Sequence, residues 1–152
     1  MFVNIIYLPL YRGSIKVSYK DMKIYSVEYL DQPLYKVGND IVSRLFEKYI
    51  SGEKISFINL EIDREKISDF QFKVYRKVRE IPYGEVRTYK WVAEEIGVNS
   101  PRAIGQALKR NPFLIVVPCH RIIKSNGEIG GFTSIGGINL KRYLLSLEGI
   151  KI

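Results

Sequence analysis

The spacing of the hydrophobic residues changes near residue 66, and this change constrains the fold more than any other feature of the chain. Before it, the stretches NIIYL, SIKVSY and KIYSVEYL alternate in the manner of strands and are separated by Gly, Pro and Asp. After it, the apolar residues of DFQFKVYRKV recur at the period of a helix. The pattern predicts an α+β protein with two domains: an N-terminal α/β support domain over residues 1–66, with a small antiparallel sheet and one helix, and a mostly helical domain over residues 67–152.

The one helix of the first region is predicted within NDIVSRLFEKYISG. Asn39 or Asp40 can accept a hydrogen bond from a free N–H of the first turn, which makes either residue a suitable N-cap. We expect Ile41 and Leu45, together with Tyr49, on the face that packs against the sheet.

Two short helices in close succession predict a helix-turn-helix in the second region. TYKWVAEEIG forms the first helix and is closed by Gly97. The second helix starts with Ser100 as N-cap and Pro101 in its first turn, and it ends before Pro112. Such a pair is typical of DNA-binding proteins, although many helical hairpins bind nothing.

The second helix of this pair has a slim face formed by Ala103, Gly105 and Ala107. A helix that reads bases in the major groove normally carries long polar side chains toward the base edges. Small residues allow a close backbone approach instead, so we expect contact with the minor groove, where little sequence information is available. The alternative is that these small residues face another helix.

Positive charge is concentrated in the second region. Residues 1–66 contain 10 Lys and Arg against 9 Asp and Glu, whereas residues 67–152 contain 14 against 7, and the whole chain carries a formal net charge of +8. Clustered positive charge favours a polyanionic partner, here nucleic acid rather than a membrane surface. A basic surface adapted only for solubility would have the same composition.

The single cysteine and the single histidine of the chain are neighbours, Cys119 and His120, within the apolar stretch VVPCHRII. One cysteine cannot form an internal disulfide, and the pair cannot supply the ligands of a structural zinc. A thiol becomes a strong nucleophile when a base or a positive charge makes it a thiolate, and His120 is a suitable base through a turn or a bridging water. Glu148, in the last turn of a predicted helix, would then orient the histidine. The alternative is an inert, buried cysteine.

These residues carry a resemblance to a known family. PCHRII, preceded by RAIGQALKRNP and IPYGEVRTY and followed by GGFTSIGGINLKRYLLSLEG, resembles the active-site region of the O6-alkylguanine-DNA alkyltransferases. The similarity runs from about Phe70 to Gly149. It implies a DNA repair protein that flips O6-alkylguanine, chiefly O6-methylguanine, out of double-stranded DNA and transfers the alkyl group irreversibly to its own cysteine, once per molecule and without a cofactor or metal.

The resemblance also implies roles for individual residues. Cys119 would be the alkyl acceptor, His120 the base acting through a water, and Glu148 the partner of the histidine. Tyr89 would help to rotate the target nucleotide, as a contact with DNA, and would donate a hydrogen bond to the departing guanine. Asn111 would support the junction between the second helix of the pair and the cysteine segment. Arg102 would enter the duplex where the flipped nucleotide was stacked. The remaining expected contacts with the substrate base are Asn111, Leu108, Val117, Phe132, Thr133 and Ser134, and those with DNA are Thr88, Ala103, Gly105, Gln106 and Ser125. The family's pocket serine matches either Thr133 or Ser134, because the loop FTSIGG is about two residues longer than usual.

No apolar run is long enough to cross a bilayer, and the first residues lack the pattern of a secretory signal. We therefore expect a cytoplasmic protein without a membrane partner, and a monomer.

Three other functions compete with alkyl transfer: a lesion-binding relative without activity, a plain helix-turn-helix regulator, and a cysteine hydrolase. Only the hydrolase would share the nucleophile, and it would turn over repeatedly.

Overall fold

A four-stranded sheet forms the first region. The structure, a computed structural model, describes residues 2–132 and 136–152. β1 (Asn4–Leu10), β2 (Gly13–Lys20) and β3 (Lys23–Leu30) are antiparallel, as the alternation predicts. A fourth strand, β4 (Glu61–Ile62), pairs in parallel with the start of β3. β4 was not predicted, because two residues are too few to show a period in the sequence.

The helix α1 (Ile41–Ile50) packs against this sheet, but with a different face from the expected one. Asp40 is the N-cap and accepts a hydrogen bond from the Ser43 N–H at 2.8 Å. Val42 and Phe46 are fully buried, whereas Ile41 is 44% exposed. The prediction was therefore right for Tyr49, which is fully buried, but wrong by one residue for Ile41 and Leu45. The periodicity of a short helix with many apolar positions does not specify its rotation.

Four helices and two very short strands follow. They are α2 (Asp69–Val78), β5 (Arg87–Thr88), α3 (Tyr89–Ile96), α4 (Pro101–Lys109), β6 (Ile122–Ile123) and α5 (Gly137–Leu147). β5 and β6 pair in parallel, and a 3₁₀ turn over Cys119–Arg121 leads directly into β6. The α+β fold is thus confirmed; the helix-turn-helix assignment of α3 and α4 stays a prediction.

The end of α3 and the start of α4 are those expected from the sequence. Ser100 accepts a hydrogen bond from the Ala103 N–H at 3.0 Å, and Pro101 occupies the first turn of α4. Gly97 ends α3 with a φ of 76°, a left-handed conformation that glycine adopts without steric cost. Helix ends of this kind depend on a few consecutive residues, so the local sequence is enough to predict them.

The two predicted domains share one hydrophobic core among the described residues. Val27 of β3 donates a backbone hydrogen bond to Pro112 and accepts one from Leu114, so the sheet edge holds the segment that follows α4. The division near residue 66 falls between β4 and α2 and stays a prediction. Among the helices described, none has the length and apolar character that a bilayer crossing requires.

Candidate active site

A compact, strained segment connects α4 to the cysteine. Ile115 has a φ of 73°, which is rare for a β-branched residue, and it is almost fully buried. The Val116 N–H donates to the Leu114 carbonyl at 2.9 Å across it, and the Val117 N–H donates to the Phe113 carbonyl at 2.8 Å. The segment thereby folds back on itself, which brings the residues on either side of it together.

Asn111 is the residue that joins the two ends of this segment. Its side-chain amide donates to the Val117 carbonyl at 3.0 Å and to Cys119 Sγ at 3.3 Å. Its Oδ1 accepts a hydrogen bond from the Phe113 N–H at 2.8 Å. One side chain therefore sets the position of the sulfur relative to the end of α4.

Cys119 begins the 3₁₀ turn and is partly exposed in a cavity of about 850 Å³. Burial raises the pKa of the Cys119 thiol, while the hydrogen bond from Asn111 and the positive charge of Lys141 act in the opposite direction. The resting sulfur is consequently a protonated thiol at neutral pH. A base must therefore remove this proton before the sulfur can react, which is the role that the resemblance implies for His120.

Most of the residues expected to contact the substrate line this cavity. Tyr89 lies at the start of α3, Phe132 follows the β6 segment, and Arg102 stands exposed in the first turn of α4. Arg102 makes no hydrogen bond or ion pair with any residue in the described part of the chain. The other expected residues in the lining are Gly105, Gln106, Leu108, Asn111, Cys119 and Ser125.

Three of the expected residues that the structure describes, Thr88, Ala103 and Val117, are not in the lining of the cavity. Thr88 uses its hydroxyl to cap α3, where it accepts the Trp91 N–H at 3.0 Å, and Ala103 is also absent from the lining. The side chain of Val117 is fully buried, and only its carbonyl takes part, through Asn111. Thr133 and Ser134 lie outside the described residues. The roles expected for these five residues stay predictions.

The slim face of α4 divides between the two alternatives. Gly105 lines the cavity, and a Cβ at this position would meet the Tyr89 ring at 3.9 Å. Ala107 is buried, and its carbonyl accepts a hydrogen bond from Tyr75 of α2 at 2.7 Å. Part of the face is therefore open toward the cavity, whereas part of it packs against another helix.

His120 and Glu148 form a buried pair directly behind the cysteine. His120 Nε2 lies 2.6 Å from Glu148 Oε2, and both side chains are fully buried. A carboxylate oxygen can only accept, so the ring carries its proton on Nε2 and leaves Nδ1 as an acceptor. Nδ1 is buried and has no hydrogen-bond partner among the described residues. Burial lowers the pKa of His120, against the opposing effect of Glu148, so the ring is neutral at neutral pH.

Glu148 has more partners than the sequence argument gave it. Arg121 donates to both carboxylate oxygens, at 2.8 and 3.0 Å, and the Gly84 N–H donates at 3.0 Å. Tyr49 of α1 donates at 2.6 Å. Burial alone would raise the pKa of Glu148, but the hydrogen bonds and charges of His120 and Arg121 hold it well below its ordinary value. The sequence analysis expected His120 as the partner of Glu148, and the structure adds three further donors to the same carboxylate.

Lys141 is the other charged residue that the sequence argument missed. It lies on the buried face of α5, is fully buried, and donates to the carbonyls of Ile122 at 2.6 Å and Gly131 at 3.4 Å. Burial lowers its pKa to about 8, with Cys119 acting in the opposite direction. The available sequence signal was a lysine between two leucines of the predicted buried face, Leu140 and Leu144. A group of three or more metal-ligating side chains does not occur in the described residues.

The chain is similar to proteins that act on alkylated DNA. A family model described as 6-O-methylguanine DNA methyltransferase, DNA binding domain, matches residues 69–150. The methylated-DNA–protein-cysteine methyltransferase of Metallosphaera sedula is 44% identical over 116 residues, which are 74% of this chain and 71% of that protein. Its counterpart in Sulfolobus acidocaldarius is 40% identical over 144 residues, 92% of this chain and 89% of that protein. The crystal structure of Mycobacterium tuberculosis OGT in complex with DNA matches with a TM-score of 0.79 and 33% identity, covering 93% of this chain and 90% of that one.

Proposed function

The chain belongs to the 6-O-methylguanine DNA methyltransferase family, and on this premise we propose that its substrate is O6-alkylguanine in double-stranded DNA, chiefly O6-methylguanine. The activity is the transfer of a methyl group from DNA to a cysteine of the protein itself. Cys119 is the acceptor in this proposal, because the chain has no other cysteine. A second thiol that could remove the alkyl group is missing for the same reason, so each molecule reacts once.

One observation carries the proposal: the only cysteine faces a large cavity, while the only histidine, its neighbour, faces a buried carboxylate. The 3₁₀ turn produces this division, since it turns consecutive side chains to different sides. Neither a regulator nor an inert lesion binder requires a base and a carboxylate behind a cavity-facing thiol. The division therefore favours nucleophilic transfer over simple binding.

Proton removal is the first step of the proposed mechanism. The Cys119 thiol is protonated at rest, and the free Nδ1 of His120 is the acceptor for its proton, through a water molecule. The imidazolium that forms is stabilised by Glu148, which Arg121 keeps ionised. The Asn111 amide and the Lys141 ammonium stabilise the negative charge on the sulfur.

Alkyl transfer follows as a single substitution. The thiolate electron pair forms the bond from Sγ to the alkyl carbon, while the bond from that carbon to O6 breaks and its electron pair goes to the purine. The Tyr89 hydroxyl in the cavity is the proposed donor of the proton that converts the purine anion into unmodified guanine. The proton that His120 took from the thiol then returns through water to Tyr89, which restores both residues. The products are an S-alkylcysteine and repaired DNA.

The cavity opens beside α4, which is the proposed DNA-binding helix. The target carbon cannot be reached inside a stacked duplex, so the nucleotide is extruded into the cavity at a cost of a few kcal/mol. Arg102, exposed at the cavity and without an internal partner among the described residues, occupies the vacated position. We place this reaction in the cytoplasm and assign it to a monomer, with residues 67–152 carrying the chemistry and residues 1–66 supporting them.

Intact-mass spectrometry with excess O6-methylguanine duplex tests the proposal. We expect the protein to gain the mass of one methyl group in place of one proton, on Cys119, and no further gain on prolonged incubation. Cys119→Ser should keep its affinity for the duplex and gain no mass. A methyl group on another residue, repeated turnover, or no transfer at all would each contradict the proposal.

A further inference from the structure

Tyr49 joins the N-terminal helix to the proposed catalytic residues. It lies on α1, 99 positions before Glu148 and 71 before His120, and its ring is fully buried. Its hydroxyl donates to Glu148 Oε2 at 2.6 Å and lies 3.5 Å from His120 Nε2. The same carboxylate oxygen accepts the histidine hydrogen bond. The hydroxyl is thus close to both members of the pair.

The phenol remains a donor throughout the working pH range. Burial, and then the negative charge of Glu148, raise the pKa of Tyr49 well above its usual value. Its proton therefore stays on the phenol oxygen and points at the carboxylate. Because the phenol proton is in the hydrogen bond to Glu148, the phenol oxygen can only accept a hydrogen bond from His120 Nε2. This arrangement favours a proton on Nε2.

We propose that Tyr49 is a positioning residue for alkyl transfer: it holds the Glu148 carboxylate against His120, keeps the imidazole proton on Nε2, and leaves Nδ1 free to take the proton of the thiol. This inference rests on the proposed roles of Cys119 and His120. It also gives the N-terminal region a part in the chemistry, beyond supporting the cavity.

The effect on His120 has a definite sign. A hydrogen bond from Tyr49 disperses the charge of Glu148, so its loss concentrates negative charge next to the imidazole and favours the imidazolium. The substitution leaves the other groups that face the pair unchanged. Arg121 still binds the Glu148 carboxylate, with the Tyr83 ring near its guanidinium, and Lys141 still opposes protonation of the imidazole. The pKa of His120 therefore rises in Tyr49→Phe.

Because His120 is the only histidine, its ring nitrogens can be observed by ¹⁵N NMR without assignment. We expect the wild-type protein to show the Nε2–H tautomer. In Tyr49→Phe, the pH midpoint of the imidazole titration should rise by about one unit, as expected for the loss of one charge-assisted hydrogen bond. The acid side of the pH–rate profile for reaction with free benzylguanine should move up by the same amount.

Tyr83→Phe is the matched control. The Tyr83 hydroxyl donates to the Leu147 carbonyl at 3.2 Å, and its ring packs edge-on against Tyr49, but it does not contact the carboxylate. We expect this variant to titrate like the wild type. An equal shift in both variants would attribute the effect to packing and overturn the inference.

Two further results would overturn the inference while leaving the proposed function intact. One is a wild-type histidine protonated on Nδ1, which needs no variant to observe. The other is an unchanged His120 titration in Tyr49→Phe, when the wild-type protein still accepts a methyl group on Cys119. Failure of the wild-type protein to react would instead count against the proposed function.

Discussion

Replacing Arg121 with methionine should expose how strongly the buried carboxylate depends on its cation. Arg121 is almost fully buried and makes three side-chain hydrogen bonds, to the two oxygens of Glu148 and to the Ile81 carbonyl at 2.8 Å. Methionine retains much of the side-chain volume, so the change removes charge and donors rather than packing. Glu148 then stays buried with only His120, Tyr49 and the Gly84 N–H around it.

We expect this substitution to lower the free energy of unfolding at neutral pH by about 3–5 kcal/mol, the usual cost of removing one partner of a buried ion pair. Most of this loss comes from the uncompensated charge of Glu148. Removing the charge of Glu148 as well should recover part of the lost stability. The double variant Arg121→Met, Glu148→Gln should therefore be more stable than the sum of the two single effects predicts, by at least about 1 kcal/mol.

The loss should also depend on pH. In the wild-type protein the folded-state pKa of Glu148 is well below its ordinary value of 4.5, so its stabilising effect is complete above that pH and disappears as the pH falls through the folded-state pKa. Without Arg121, the folded-state pKa of Glu148 is higher than in the wild type, because one of the two groups that lower it is gone. The variant therefore gains stability relative to the wild type as the carboxyl protonates. The difference between the two proteins should consequently be largest at neutral pH and shrink in acid.

Urea unfolding at several pH values measures both the loss of unfolding free energy and its dependence on pH. Arg44→Met is a suitable control, because Arg44 is on the surface and its hydrogen bond to the Asn39 carbonyl is exposed; we expect a change below about 0.5 kcal/mol. A loss for Arg121→Met as small as that of the control, or one that stays constant from neutral to acid pH, would refute the charge-based reasoning.

Three other predictions concern the DNA face and the cavity. Arg102→Ala should weaken repair of duplex DNA far more than reaction with free benzylguanine, because Arg102 is assigned to the duplex and not to the chemistry; equal losses in the two assays would contradict this. Lys141→Met should raise the pKa of the Cys119 thiol, since the lysine charge lowers it, and the pH at which benzylguanine reacts at half its maximal rate should rise; an unchanged profile would count against it. Ser100→Ala removes the cap of α4 and should cost about 1 kcal/mol in urea unfolding, and a negligible loss would show that tertiary packing alone holds the start of this helix.

Secondary structure was predictable wherever it depended on neighbouring residues. The alternation in NIIYL and SIKVSY predicted β1 and β2, and Ser100 with Pro101 predicted the start of α4. β4, β5 and β6 were missed, because each has two residues and forms only through partners far along the chain. The same limit explains the error in the face of α1, whose rotation is set by the sheet beneath it.

The candidate site was predictable to the extent that its residues share one contiguous stretch. Cys119 and His120 were identified by their adjacency, and Asn111 by the resemblance to the family. Arg121 follows the histidine directly and could have been found from that position, since a cation beside a buried pair is what Glu148 requires. Tyr49 had no comparable signal, because an aromatic residue on an apolar helix face is normally a core residue.

The sequence by itself determined the chemistry available to this protein: one thiol, one imidazole, the carboxylate of Glu148, and a basic second region that contains a pair of short helices. The tertiary structure alone decided how those groups work together. It brings Tyr49, Gly84 and Arg121 onto a single carboxylate, from 99, 64 and 27 residues away, and turns Cys119 toward the cavity while His120 faces inward. The physical reason is that a buried charge requires several donors in fixed directions, and donors so distant in the chain converge only when the helices and the sheet have packed.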